Sequence, residues 1–330
     1  MIVTIDQLET CLGATPKAVG LKVLDAIDSH AEHWLAASPL MFVGVDEAPD
    51  GMALCVAGGQ AGFARAAGPG TLVLPLDAVD KPASFIPGQA VGLLSLVPGL
   101  GETLRINGRT RAVRDDSVEI EVLEVFLHCA KALIRSDFWQ ASRREEVPGG
   151  PAFLNQARFI AVATSDGRGN ADVSPKGDPA GALLYCRDGE VGFGERPGNR
   201  RKDSLKNLLS EPRIAMLAVI PGAARVATVT GTARLTDDVE VCTRLAVVGK
   251  TPRLVTAIPN ARINVRDSPA LARVGWPVAT TAHGIDPAAV FTDHIKRSKQ
   301  SGIAATLTRG LLSKKLMSAE LARDYRKKLY

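Results

Sequence analysis

The sequence predicts a mainly β protein with peripheral helices, in which one antiparallel β-domain occurs twice in tandem and a helical segment follows. Three observations carry that prediction. Short apolar runs broken by Gly, Pro and Asp recur from residue 40 onward, the order of elements repeats after a charged Pro- and Gly-containing stretch at 146–150, and the two halves match at a fixed offset of 123 residues.

Taken in order, residues 16–37 place Val19, Leu21, Leu24, Ile27, Ala31 and Leu35 at helical intervals, which predicts one amphipathic helix. The runs LMFVGV, GMALCVA, GTLVLPL, AVGLLSLV and ETLRINGRTRAV between residues 40 and 113 read as strands of an antiparallel sandwich or barrel. EIEVLEVFLHCAKALIRSDFW is a strand running into a short helix, and ASRREEVPGGP is the linker. After it come two strands around a Gly-containing turn (ARFIAVATSDGRGNADVSP), a hairpin (YCRDGEVGFG), a helix (DSLKNLLSEP) and a further strand pair. VGLLSLVPG (91–99) falls on IAMLAVIPG (214–222), Gly108 on Gly231 and Arg111 on Arg234, while ALIRSDFW (132–139) faces ALARVGW (270–276). The expected division is therefore 1–146, 147–284 and a basic helical extension, 285–330.

Composition narrows the functional classes. With 330 residues, 46% hydrophobic and 23% charged, the chain has room for about two domains with real cores and is neither disordered nor collagen-like. No apolar stretch predicts a membrane span and MIVTIDQLETCLG does not read as a signal peptide, so a cytoplasmic protein is expected. Five scattered cysteines without a CxxC pair read as reduced thiols, and the histidines form no metal-ligand spacing. Residues 285–330 carry ten Lys/Arg against four Asp/Glu. A solvated basic helix face explains this better than nucleic acid, because only Tyr325 and Tyr330 interleave aromatics with the cations near its end.

The chemistry-bearing stretch is ADVSPKGDPAG (171–181) followed by FGERPGNRRKDSLKNL (193–208). It gathers Ser174 and Lys176, then Arg196, Asn199, Arg200 and Arg201, then Ser204 where a helix begins. Cations, hydroxyl or amide donors and backbone N–H groups at a helix start are what a phosphate ester requires, although a solvated basic loop has the same composition.

SPKGDP, ERPGNRRKDSL, and in the first half PGLGETLRINGRTR and HCAKALIRSDFW, resemble the pyridoxamine 5′-phosphate oxidase-like FMN-binding split barrels over most of residues 20–276. The resemblance implies antiparallel Greek-key split barrels that pair and hold FMN at their interface. The halves have complementary losses. The second keeps the phosphate motifs, whereas the first has Val56-Ala57-Gly58-Gly59 in place of SPKG and a shorter DAVDKPASF (77–85) without arginines. Conversely, the second half has Arg225-Val226-Ala227-Thr228 where the first has Glu102-Thr103-Leu104-Arg105. The implied arrangement is an intramolecular pseudo-dimer with one composite FMN site, its phosphate on the second-half residues and Thr103, Arg105, His128 and Lys131 approaching from the first half.

The implied activity is FMN-dependent oxidoreduction of a small organic substrate, with NAD(P)H as an electron donor to be tested and no catalytic residue assigned. True pyridoxine-phosphate oxidase activity is not expected, since the chain ends ELARDYRKKLY without that group's arginine-containing C-terminal signature. The alternatives are a non-catalytic FMN-binding or sensing protein, or a relative that takes deazaflavin or haem.

Overall fold

The computed structural model describes residues 1–16, 20–47, 49, 51–80, 85–280, 283–297, 314–327, 329 and 330. In the first half, strands β1 (Leu40–Asp46), β2 (Met52–Gly58), β3 (Arg65–Ala66), β4 (Thr71–Pro75), β5 (Ala90–Leu96), β6 (Thr103–Val113) and β7 (Ser117–His128) form an antiparallel sheet. Its order is β2-β1-β5-β6-β7-β4-β3. The sheet curls until its ends meet: Ala57 on β2 bridges Val79 just beyond β4, and the Asp80 N–H donates to the Val56 carbonyl at 2.8 Å. That closure removes an exposed edge.

The second half contains β8 (Phe159–Ser165), β9 (Ala171–Gly177), β10 (Leu184–Arg187), β11 (Glu190–Gly194), β12 (Arg213–Val219), β13 (Arg225–Thr232), β14 (Arg234–Thr236), β15 (Val255–Ile258) and β16 (Arg262–Asp267). They lie in two sheets, β16-β13-β12-β8-β9 and β10-β11-β15-β14. If β13 and β14 are one interrupted copy of β6, and β15 and β16 one interrupted copy of β7, the strand order of the first half returns. The interruptions have local causes. Pro259 and Asn260, the latter at φ 50°, stand between β15 and β16, while the β13/β14 break falls where β6 already carries an irregularity between Thr110 and Ala112.

Register shows how far the repeat goes. Gly92 pairs with Asn107 and Ala215 with Thr230, so the offset of 123 holds pair by pair across β5–β6 and β12–β13. Across β1–β2 the offset is 119 instead: Leu40 pairs with Gly58, and Phe159 with Gly177. Cys55-Val56-Ala57-Gly58 therefore stands in the place of Ser174-Pro175-Lys176-Gly177, one residue earlier than the sequence alone suggests.

Strand alternation explains the continuous apolar runs. On β1, Met41, Val43 and Val45 enter the first barrel's interior, while Leu40 and Phe42 enter a core shared by the two barrels. On β8, Ile160 and Val162 point into the second barrel, while Phe159 and Ala161 join the shared core. Both faces are buried, so neither strand shows a polar side. Phe42, Phe159, Phe138 and Trp276 meet there with ring centroids 5.0–5.5 Å apart.

The halves also exchange helices. Helix Lys131–Ser136, which follows β7, lies against Gly177 of β9, and helix Pro269–Val274, which follows β16, lies against Gly58 of β2. A Cβ at Gly177 would collide with the Ala132 carbonyl oxygen, whereas one at Gly58 would stand 2.9 Å from that of Ala270. Gly177→Ala is therefore expected to destabilise the fold by about 1–3 kcal/mol in urea unfolding, with Gly58→Ala costing less.

One helical expectation is revised, and both ends of the chain pack on the barrels. The helix expected over 16–37 forms as Ser29–Ala37, because the Asp28 carboxylate caps the Ala31 N–H at 2.9 Å and Leu24 instead pairs with Val125 in an isolated bridge. Residues 17–19 lie outside the described residues. The first residues join the second half: Ile2 bridges Leu235, and Leu8 of helix Ile5–Leu12 is buried in that barrel's core. The basic extension is helical as expected, and it docks: Val290 and Phe291 of helix Pro287–Arg297 enter the first core, and Met317 and Leu321 of helix Lys314–Lys327 pack against it.

Candidate functional site

A cavity of about 540 Å³ opens where the helix after β7 crosses β9. His128, Cys129, Lys131 and Arg135 reach it from the first half. Ser174 and Lys176 reach it from β9, and residues 194–202 come from the loop after β11. Ser204 lies in the first turn of helix Asp203–Ser210, and residues 250–253 complete the wall. Nine of the eleven residues expected from the sequence line this space. The walls carry nine Lys and Arg side chains against three Asp and Glu, a surplus of positive charge suited to an anionic ligand.

Thr103 and Arg105 are not on the cavity wall. Arg105 is 1% exposed, pairs with Asp172, stands 3.6 Å from Asp203 and lies over the Phe126 ring at 4.9 Å. On the ring of Phe126 the Arg201 guanidinium stacks at 3.7 Å. Asp172 also accepts from Thr164 at 2.7 Å, Asn207 at 3.1 Å and Ser174 at 2.8 Å. The expected role of Arg105 changes accordingly: it braces β9 from across the inter-barrel seam. Thr103 is buried with its hydroxyl unpartnered, directly opposite His128 in the β6–β7 ladder. Ser174 spends its single proton on Asp172 and can offer a ligand only lone pairs.

Three of the second-half cations are held in place by internal acids. Lys176 pairs with Glu195 at 2.5 Å and Arg196 with Asp178 at 2.6 Å, while Arg196 also donates to the Leu245 carbonyl at 2.8 Å. Arg201 pairs with Asp203. Unspent donors remain beside them, because Arg196 Nη1 and Asn199 Nδ2 are buried without a partner among the described residues. Arg200 adopts φ 58°, a left-handed conformation costing about 1–2 kcal/mol for a non-glycine residue, and the Asn199 carboxamide accepts the Arg201 N–H at 2.9 Å to close the turn.

On the first-half wall, Lys131 is 2% exposed and pairs with Asp324 at 2.8 Å. Burial lowers the His128 pKa well below the usual imidazole range, reinforced by the charges of Arg105, Lys22, Arg201 and Lys176, so the ring is neutral with Nδ1 unpartnered. His128 and Cys129 both face the cavity, since β7 ends at His128 and strict alternation stops there. Lys22, which sequence reasoning missed, is 6% exposed, lies 4.7 Å over the Phe291 ring, and is pushed down to about 8 by burial.

The pseudo-equivalent position in the other half is filled. Asp80 is 2% exposed, accepts from the Ser268 hydroxyl, and accepts the Ala270 N–H at 2.7 Å. Arg273, the counterpart of Arg135, donates to the Gly58 and Ala78 carbonyls at 2.9 and 2.8 Å. Ala57 stands where Lys176 stands on the other side, and the chain's own carboxylate takes the helix-end donors. Lys81, in the shortened loop, lies outside the described residues.

Neither a family model nor a curated relative matches the chain. Among solved structures, HupZ of Group A Streptococcus aligns at 18% identity over 38% of this chain and 98% of its own, with a TM-score of 0.30. A NimC/NimA family protein from Clostridium acetobutylicum aligns at 13% identity over 34% and 82%, with a TM-score of 0.25. An F420 reductase aligns at 16% identity over 36% and 98%, with a TM-score of 0.26. Among the described residues no helix is long and apolar enough to cross a membrane, and no cluster of His, Cys, Asp and Glu could hold a metal ion.

Proposed function

We propose that the chain is a flavin-dependent oxidoreductase of the pyridoxamine 5′-phosphate oxidase-like kind, holding one FMN in the cavity between its halves. The observation that carries this reading is the asymmetry of two pseudo-equivalent positions. One is a cationic cavity with unspent donors, and the other is sealed by Asp80. The donor set suits a phosphate monoester. Among the described residues Arg196 Nη1 and Asn199 Nδ2 have no partner and Arg200 makes no ion pair, and Lys176, Arg201 and Ser204 stand beside them. The volume also falls within the range of cofactor pockets.

When bound, FMN supplies hydride transfer at its N5. The chain's residues bind and orient it. The 196–204 loop would hold the phosphate, the neutral His128 would offer a hydrogen-bonding nitrogen without charge, and the Lys131 ammonium would supply positive charge beside the ring. Arg105 works through Asp172 to hold β9, and is a positioning residue.

Titrating the protein with FMN and with riboflavin tests this reading. FMN should bind at least about tenfold more tightly, the worth of one charge-assisted contact, and inorganic phosphate should compete. Equal affinities would contradict a phosphate-anchored site. Reduction of the bound flavin by NADH or NADPH separates an enzyme from a flavin-storing or sensing protein.

A further inference from the structure

The same cavity is covered by the chain's own C-terminal residues. Helix Lys314–Lys327 brings Asp324 to the buried Lys131 ammonium at 2.8 Å. The Tyr325 hydroxyl donates to Glu102 at 2.8 Å and receives the Ala130 N–H at 3.3 Å. Beyond the helix, the Leu329 carbonyl accepts from Arg135 Nε at 2.8 Å, and the Tyr330 ring lies against Arg135 and Arg196, 5.4 and 6.0 Å from their guanidinium carbons. Asp324 and the Leu329 carbonyl thus set oxygens of the tail on the cavity cations Lys131 and Arg135, and the Tyr330 ring faces Arg135 and Arg196, all groups that attract an incoming anion. Among the described residues of this helix none is fully buried, Met317, Leu321 and Tyr325 being half-buried, and an isolated helix of this length is marginal in water, so the helix depends on these contacts to stay in place.

We infer that the helix Lys314–Lys327 with Leu329 and Tyr330 is a displaceable strap, holding the cavity cations Lys131 and Arg135 and facing Arg196, and competing with an anionic ligand for their charge. This rests on the ligand-pocket reading above and adds its regulation. A pocket open in only a fraction of molecules binds its ligand more weakly by that fraction. Loosening the strap therefore raises apparent affinity without changing any contact the ligand makes.

The test uses the full chain and two variants, Asp324→Asn and Tyr330→Ala, each titrated calorimetrically with FMN and, separately, with inorganic phosphate. Amide hydrogen exchange of residues 314–327 is followed with and without each probe. Both variants should bind both probes at least about threefold more tightly than the unmodified chain, and ligand should speed exchange in the helix. Unchanged affinities, or FMN bound more weakly by Tyr330→Ala because the tail builds part of the site, would overturn the strap. If FMN binds none of the three proteins while phosphate affinity still rises in the variants, the flavin reading falls and the strap stands. If neither probe binds any of them, both fall.

Discussion

Arg105→Ala should lower the unfolding free energy by about 3–5 kcal/mol, the cost of leaving a buried carboxylate without its cation. Arg105 and Asp172 have side-chain exposures of 1% and 4%, and they join β6 of one barrel to β9 of the other. Removing the guanidinium leaves Asp172 with neutral partners only, Thr164, Asn207 and Ser174, and takes away one face of the Phe126–Arg201 stack. The double variant Arg105→Ala/Asp172→Ala should cost less than the sum of the single changes, because the uncompensated charge disappears with its partner. Urea unfolding monitored by Trp fluorescence reads all three. A single-variant loss below about 1 kcal/mol would place this pair among weakly coupled surface contacts and remove its bracing role.

Arg200→Ala should weaken FMN binding by about 1.5–3 kcal/mol, roughly tenfold to a hundredfold in Kd, with the thermal midpoint unchanged. Arg200 lines the cavity and, among the described residues, makes no ion pair, so its guanidinium adds little to the stability of the fold. Arg201→Ala should lower both affinity and stability, because Arg201 also pairs with Asp203 and stacks on Phe126. Equal stability losses in the two variants, or an unchanged Kd in Arg200→Ala, would mean that the loop is a solvated basic turn and the ligand lies elsewhere.

Much of this was legible before any coordinates. VGLLSLVPG and IAMLAVIPG occupy identical places in β5 and β12 because a Pro-Gly turn and an apolar strand are local features, and register follows from them. The basic loop after β11 was equally plain. Other features depend on contacts between distant segments. The SPKG counterpart was placed one residue late because the β1–β2 pair carries a different offset from β5–β6. Arg105 read as a ligand contact because a strand arginine carries no mark of the Asp172 that waits on another barrel. Asp80 gave no signal, since a lone Asp in a loop acquires meaning only when a helix end from the other half meets it. The environment of Lys22 and the docking of the helical tail depend on distant segments in the same way, and the 16–37 periodicity loses to the cap at Asp28.

The most direct measurement is the visible spectrum of the purified protein, with flavin released by heat, identified and counted per chain. The account predicts oxidised-flavin bands and one FMN per chain, held by the cationic cavity and absent from the position sealed by Asp80. Two flavins per chain, or a colourless protein that takes up no added FMN after Asp324→Asn has loosened the tail, would contradict it.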